Sequence, residues 1–96
     1  MKVKINNLAR PFVIRLEDDL SGIISLRGTL LKIDDITINI LKLLDEGMKL
    51  DNIVKYLLGI YDVQEIQLRS DVIELVNDML SIGIIDDNII QKLELV

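Results

Sequence analysis

The sequence predicts an α+β domain, a three-stranded antiparallel sheet followed by three helices, and three observations carry that reading. Half of the 96 residues are hydrophobic, nearly all aliphatic, which suits a short chain that must fill a single core. The apolar pattern changes from a period of two to a helical period near residue 34. Before that point short turns, not long connections, separate the apolar segments.

In PFVIRLE, Phe12, Ile14 and Leu16 alternate with Val13, Arg15 and Glu17, as in a strand with one buried face. EDDLSG is turn chemistry, and GIISL reads as a second strand. Arg27-Gly28 can close a tight hairpin, with Gly28 supplying a positive φ. TLLKI follows as a third strand, with Thr29, Leu31 and Ile33 on one face and Leu30 and Lys32 on the other. In such a meander the middle strand is paired on both sides, and the third keeps a free edge of N–H and C=O groups.

Asp34 and Asp35 offer cap and first-turn carboxylates for a helix whose Ile36, Ile38, Ile40, Leu41, Leu43 and Leu44 cover most of its circumference. Gly47 is placed to stop it. Asp51 is the expected cap of a second helix, running to about Ile60, with Leu50, Ile53, Val54, Leu57, Leu58 and Tyr61 on one face. A third helix is expected from Gln64 to Ile82, ended by Gly83, with Ile84 making the apolar contact that follows a glycine stop. Residues 1–96 form one domain with its core at 12–85, and the tail 86–96 receives no assignment.

What is missing narrows the chemistry. Without Cys or His there is no thiolate nucleophile, disulfide or thiolate metal site, and no imidazole base. The five glycines lie too far apart for a phosphate-cradling loop. Catalysis would rest on carboxylate pairs such as Asp18-Asp19 and Asp86-Asp87, which read better as solvated turn residues. The expectation is therefore no catalytic residues, no metal and no cofactor. The net charge of −5 opposes nucleic-acid phosphates and anionic membranes, and suits basic or apolar protein partners. No stretch approaches the ~18 apolar residues of a membrane span, and MKVKINNLAR lacks the apolar run of a secretion signal, so a cytoplasmic protein is expected.

The third helix is apolar over an arc of about 200°, against the ~100° of an ordinary surface helix. Leu68, Val72, Leu75, Met79 and Ile82 form one half of that arc; Ile66, Ile73, Val76 and Leu80 form the other, with Arg69 among them. One half can face the central helix; the other either packs on the sheet or lines a groove, and Arg69 favours the groove because an unpaired charge is costly inside a packed core.

GTLLKIDD leading into the first helix, then ILKLLDEG with Leu43, Leu44, Asp45 and Gly47, then LDNIVKYLLGIYDV, carry a resemblance. So do Ser70-Asp71-Val72, which open a run that closes on Leu80 and Gly83-Ile84-Ile85. Over residues 12–85 the chain resembles the PqqD-like family, the recognition elements of ribosomally made, post-translationally modified peptides, in a free-standing form. The order of elements is that of a winged helix-turn-helix-like module.

The resemblance implies a non-catalytic domain that binds the leader segment of a precursor peptide as an extra strand and delivers it to a modifying enzyme or leader peptidase, with lasso-peptide pathways favoured. It places the peptide on the third strand, Thr29, Leu30, Leu31, Lys32 and Ile33, beside a groove lined by Arg69, Val72, Ile73 and Val76, with Arg69 or Lys32 available to a leader carboxylate. A monomer or weak homodimer is expected. Two alternatives are a winged-helix DNA-binding regulator, which the acids of the third helix oppose, and a self-assembling module using Ile89, Ile90, Leu93, Leu95 and Val96.

Overall fold

A computed structural model describes residues 1–94 and gives an α+β fold with four strands and four helices. The strands are β1 (Lys2–Ile5), β2 (Phe12–Leu16), β3 (Gly22–Leu26) and β4 (Thr29–Ile33), and they form one antiparallel sheet in chain order. The helices are α1 (Asp35–Asp45), α2 (Leu50–Leu58), α3 (Glu65–Ser81) and α4 (Asp87–Leu93). The expectation of three strands and three helices is thus corrected by an element at each end. β1 alternates Lys2 and Lys4 with Val3 and Ile5, and only Ile5 of the four is fully buried. α4 is two turns long, capped by the Asp86 carboxylate accepting from the Ile89 N–H at 3.1 Å.

The other strands follow the period of two. Val3, Ile14, Ile24 and Leu31 lie opposite one another across the sheet, and so do Leu16, Gly22 and Ile33. These rows form the inner face on which the helices pack; Lys2, Arg15, Ile23 and Lys32 form a row on the outer face. Arg27 and Gly28 both take positive φ, 49° and 81°, in the two-residue β3–β4 turn. That conformation matches the twist of the flanking strands, and it is why the turn is so short.

β4 gives way to α1 through Asp34, whose carboxylate accepts from the Thr37 N–H at 2.9 Å. α1 is the central helix, burying Ile38, Ile40, Leu41, Leu43 and Leu44. It approaches the sheet closely at Gly22, where an added Cβ would sit 2.5 Å from Ile14 Cγ2 and 3.0 Å from Ile38 Cδ1. Glycine is required there for space. Asp51 is not the cap of α2: the helix starts at Leu50 after Lys49, which makes no side-chain cap bond, and Asp51 sits in the first turn. Gly83 takes φ +85° after α3, and Ile84, fully buried, donates its N–H back to the Met79 carbonyl, closing the helix as a glycine stop does.

Elements near both ends of the described residues join the core. Ile5 and Leu8 are buried beside the helices, as are Ile89 and Leu93 of α4. Ile90 is half-buried, and Leu95 and Val96, the last of the expected assembly residues, lie outside the described residues. The β1–β2 loop is held by Asp45, whose Oδ1 accepts the backbone N–H groups of Asn6 at 3.0 Å and Asn7 at 2.6 Å. The Asn7 side-chain amide donates to the Asp45 carbonyl at 3.1 Å, and the Ala9 N–H donates to the Ile84 carbonyl at 3.1 Å. Asp45 is the aspartate of the LLDEG segment, and its part in the fold is to fasten the β1–β2 loop to the end of α1.

Hydrogen bonds to a charged acceptor are stronger than neutral ones, so Asp45→Ala should lower unfolding free energy by about 1–3 kcal/mol, and Asp45→Asn by less. Urea denaturation followed by circular dichroism measures both, and equal stability of the alanine variant and wild type would contradict this role.

Candidate functional site

Because the sheet has four strands, it has two edges, β1 and β4. β1 is four residues long and presents Lys2 and Lys4, the features that blunt an edge against pairing. β4 carries a single lysine, Lys32, and an exposed leucine, Leu30. Leu26 and Thr29 flank the two-residue turn and form a hydrogen-bonded pair. Alternation then directs the backbone groups of Leu31 and Ile33 toward β3 and those of Leu30 and Lys32 outward. Among the described residues no backbone group outside β3 bonds to Leu30 or Lys32.

The side chains of β4 divide by face. Thr29, Leu31 and Ile33 point to the helical side, where Leu31 is half-buried and Ile33 buried. Leu30, at 67 % exposure, and Lys32 point away from it. Lys32 pairs with Asp19 at 3.4 Å across the outer surface.

Two clefts lie near β4: one takes in its residues Thr29 and Leu31 together with Ile82, the residue that follows α3, and the other lies between α1 and α3 and meets the strand only at Asp34, the residue after it. One, of about 280 Å³, is lined by Leu26, Arg27, Thr29, Leu31 and Ile82. The other, also of about 280 Å³, begins at Asp34 and is walled by Ile36, Thr37 and Ile40 of α1 and by Leu68, Asp71, Glu74, Leu75 and Asp78 of α3.

The expected groove residues of α3 do not share one surface with β4. Val72 and Val76 are fully buried in the core. Arg69 is turned toward α2 and donates to Asp51 Oδ1 at 2.8 Å, and Ile73 is half-buried. Arg69 and Ile73 line a third cleft with Glu65, Ile66 and Ser70, all from α3, and no residue of β4 reaches it. The physical reason is the helical angle. Leu68, Val72, Val76 and Met79 take the centre of the buried stripe, which leaves Arg69 and Ile73 on one flank and Asp71, Leu75, Asp78 and Ile82 on the other.

The residues of these two clefts that sequence reasoning did not place in a site are Ile36, Ile40, Leu75 and Ile82 and the acids Asp71, Glu74 and Asp78. The acids recur at i, i+3 and i+7 around Leu75, a spacing visible in the sequence but equally that of a solvated face. The carboxylate pairs in the loops have structural partners. Asp86 caps α4, and Asp19 accepts from both the hydroxyl and the backbone N–H of Ser21 in the β2–β3 turn. Those bonds, aided by Lys32, hold the Asp19 carboxyl down at about 2. Among the described residues no group of three or more acidic side chains could hold a metal ion, and no helix is long and apolar enough to cross a membrane.

A family model described as coenzyme PQQ synthesis protein D matches residues 14–85. Comparison with curated proteins gives no match, and comparison with solved structures gives none either.

With its folded value below the ordinary 3.8, Asp19 adds stability that is complete above pH 3.8 and is lost as pH falls through about 2. Thermal melts of wild type and Asp19→Asn should therefore differ most above pH 4 and converge toward pH 2. A constant difference across that range would remove the Asp19–Ser21 turn as its source.

Proposed function

Since the chain belongs to the PqqD family, whose model covers most of it, we propose that it binds the leader segment of a precursor peptide by adding it as a fifth strand beside β4. Members of this family are non-catalytic peptide-binding partners in the biosynthesis of ribosomally made, modified peptides. The observation that carries the strand reading is the outward row of backbone groups at Leu30 and Lys32, unpaired among the described residues, on a strand whose Thr29 and Leu31 line an apolar cleft. A docked strand gains main-chain bonds of roughly 0.5–1.5 kcal/mol each, which read no sequence. Alternate side chains enter the clefts and supply the specificity, as in other β-augmentation complexes.

Thr29, Leu30, Leu31, Lys32 and Ile33 form the docking strand of this proposal. Leu31 and Ile33 act through their backbones as well as through packing. Val72 and Val76 support the site from the core beneath it, and Arg69 and Ile73 form a separate patch on the α2 side open to the partner enzyme. The hairpin β3–β4 followed by α1 and the pair α2–α3 is the order that supports a winged helix-turn-helix-like description. Among the pathways such domains serve, lasso-peptide maturation, with a separate leader peptidase and cyclase, is the one to test first. A role in DNA binding is disfavoured by Asp71, Glu74 and Asp78 on the exposed side of α3.

Calorimetric titration with the leader of a precursor encoded nearby tests the strand. Lys32→Pro removes an outward N–H and leaves the β3 ladder intact, because its donor faces away from the sheet. Lys32→Ala removes only the side chain. The alanine variant should bind within about threefold of wild type, since an exposed ion pair contributes little, and the proline variant at least tenfold more weakly. A folded Lys32→Pro protein that bound as tightly as wild type would exclude β4 as the docking edge.

A further inference from the structure

The cleft that includes Thr29 and Leu31 of β4 and the cleft between α1 and α3 that begins at Asp34 differ in charge. The cleft beside the β3–β4 turn has an apolar interior of Leu26, Leu31 and Ile82, with Arg27 on its wall. The cleft beside the start of α1 has an apolar floor of Ile36, Ile40, Leu68 and Leu75 and a rim of Asp34, Asp71, Glu74 and Asp78, with no basic residue in its lining. None of those four carboxylates takes part in an ion pair among the described residues. Asp34 and Asp71 hold only neutral donors, the Thr37 N–H and the Gln67 amide. The two cations expected to receive a leader carboxylate are engaged elsewhere, Arg69 with Asp51 and Lys32 with Asp19 on the outer face of the sheet.

We propose that the guest strand is a basic, apolar peptide, with a lysine or arginine seated between Asp34 and the acids of α3 and an aliphatic or aromatic side chain seated against Leu31 and Ile82. The proposal rests on strand addition to β4. It specifies the chemistry of the guest, and it reverses the sign of charge that Arg69 and Lys32 suggest from sequence.

Geometry also sets the spacing. From Thr29 to Ile33 the strand advances about 13 Å, at roughly 3.3 Å per residue. A guest strand alongside it presents the same face every second residue, so the basic and the apolar anchor stand two or four positions apart, never three. The composition of the whole chain agrees with the choice. Thirteen of the sixteen acids lie in residues 34–96, the helical half that builds the cleft beginning at Asp34. A guest carrying carboxylates at the acid-rimmed cleft would meet like charge from Asp34 and from the α3 acids.

The test is selection from a random-sequence peptide display library on the immobilised full chain, repeated on Lys32→Pro and on the triple variant Asp71→Asn, Glu74→Gln, Asp78→Asn. Wild type should enrich peptides with Lys or Arg two or four positions from a large apolar residue. The triple variant, checked for folding by thermal melt, should lose that basic enrichment and bind a wild-type winner about tenfold more weakly at low salt. Winners without basic enrichment whose binding is still lost in Lys32→Pro would overturn the charge assignment and leave strand addition standing. Winners indifferent to Lys32→Pro, or no winners, would overturn strand addition and this inference with it.

Discussion

The sheet ends at β4 because the chain turns into a helix one residue later. Asp34 leaves the strand and at once caps α1 through the Thr37 N–H, and α1 is carried across the inner face of the sheet, where Gly22 leaves room for Ile38. After that turn every remaining element is helical, so no later segment among the described residues pairs with β4. An unpaired edge in a small aliphatic domain is an aggregation hazard unless it has a use. The unpaired edge of β4, a strand whose Thr29 and Leu31 line an apolar cleft with Ile82, is fitted to receive an extended segment of another chain.

The two edges of the sheet are not equivalent, and chemistry separates them. β1 is short, carries Lys2 and Lys4, and its following loop is tied to the helices by Asp45 and Ile84. β4 has none of that protection except Lys32. The same division runs through the whole molecule. The strand half, residues 1–33, holds six of the eleven basic residues, whereas thirteen of the sixteen acids lie in the helical half that follows. A guest at β4 therefore lies along the boundary between a basic sheet and an acidic helical layer.

Much of this was legible in the sequence. The alternation in FVIRL, GIISL and TLLKI, the Arg27-Gly28 turn, the Asp34 cap and the Gly47 and Gly83 stops all stand where period and turn chemistry put them. β1 was missed because its four residues show only two apolar positions, and Val3 and Ile5 become core only through register with Ile14 and Phe12. α4 was missed because two turns with buried Ile89 and Leu93 leave too few positions to reveal a period. The edge strand itself could be read, but not which flank of α3 faces it. An apolar arc of 200° is symmetric about its centre, and only the packing of Val72 and Val76 into the core assigns Leu75 and Ile82 to the β4 side and Ile73 to the other.

The central claim is that the outward backbone of β4 is vacant in the free protein and filled in the complex. Residue-resolved amide hydrogen exchange with and without saturating leader peptide measures it directly. The account predicts fast exchange at Leu30 and Lys32 beside protected Leu31 and Ile33 in the free protein, with Leu30 and Lys32 becoming protected when the peptide is added. Slow exchange at Leu30 and Lys32 in the free protein, or no change on binding, would contradict it.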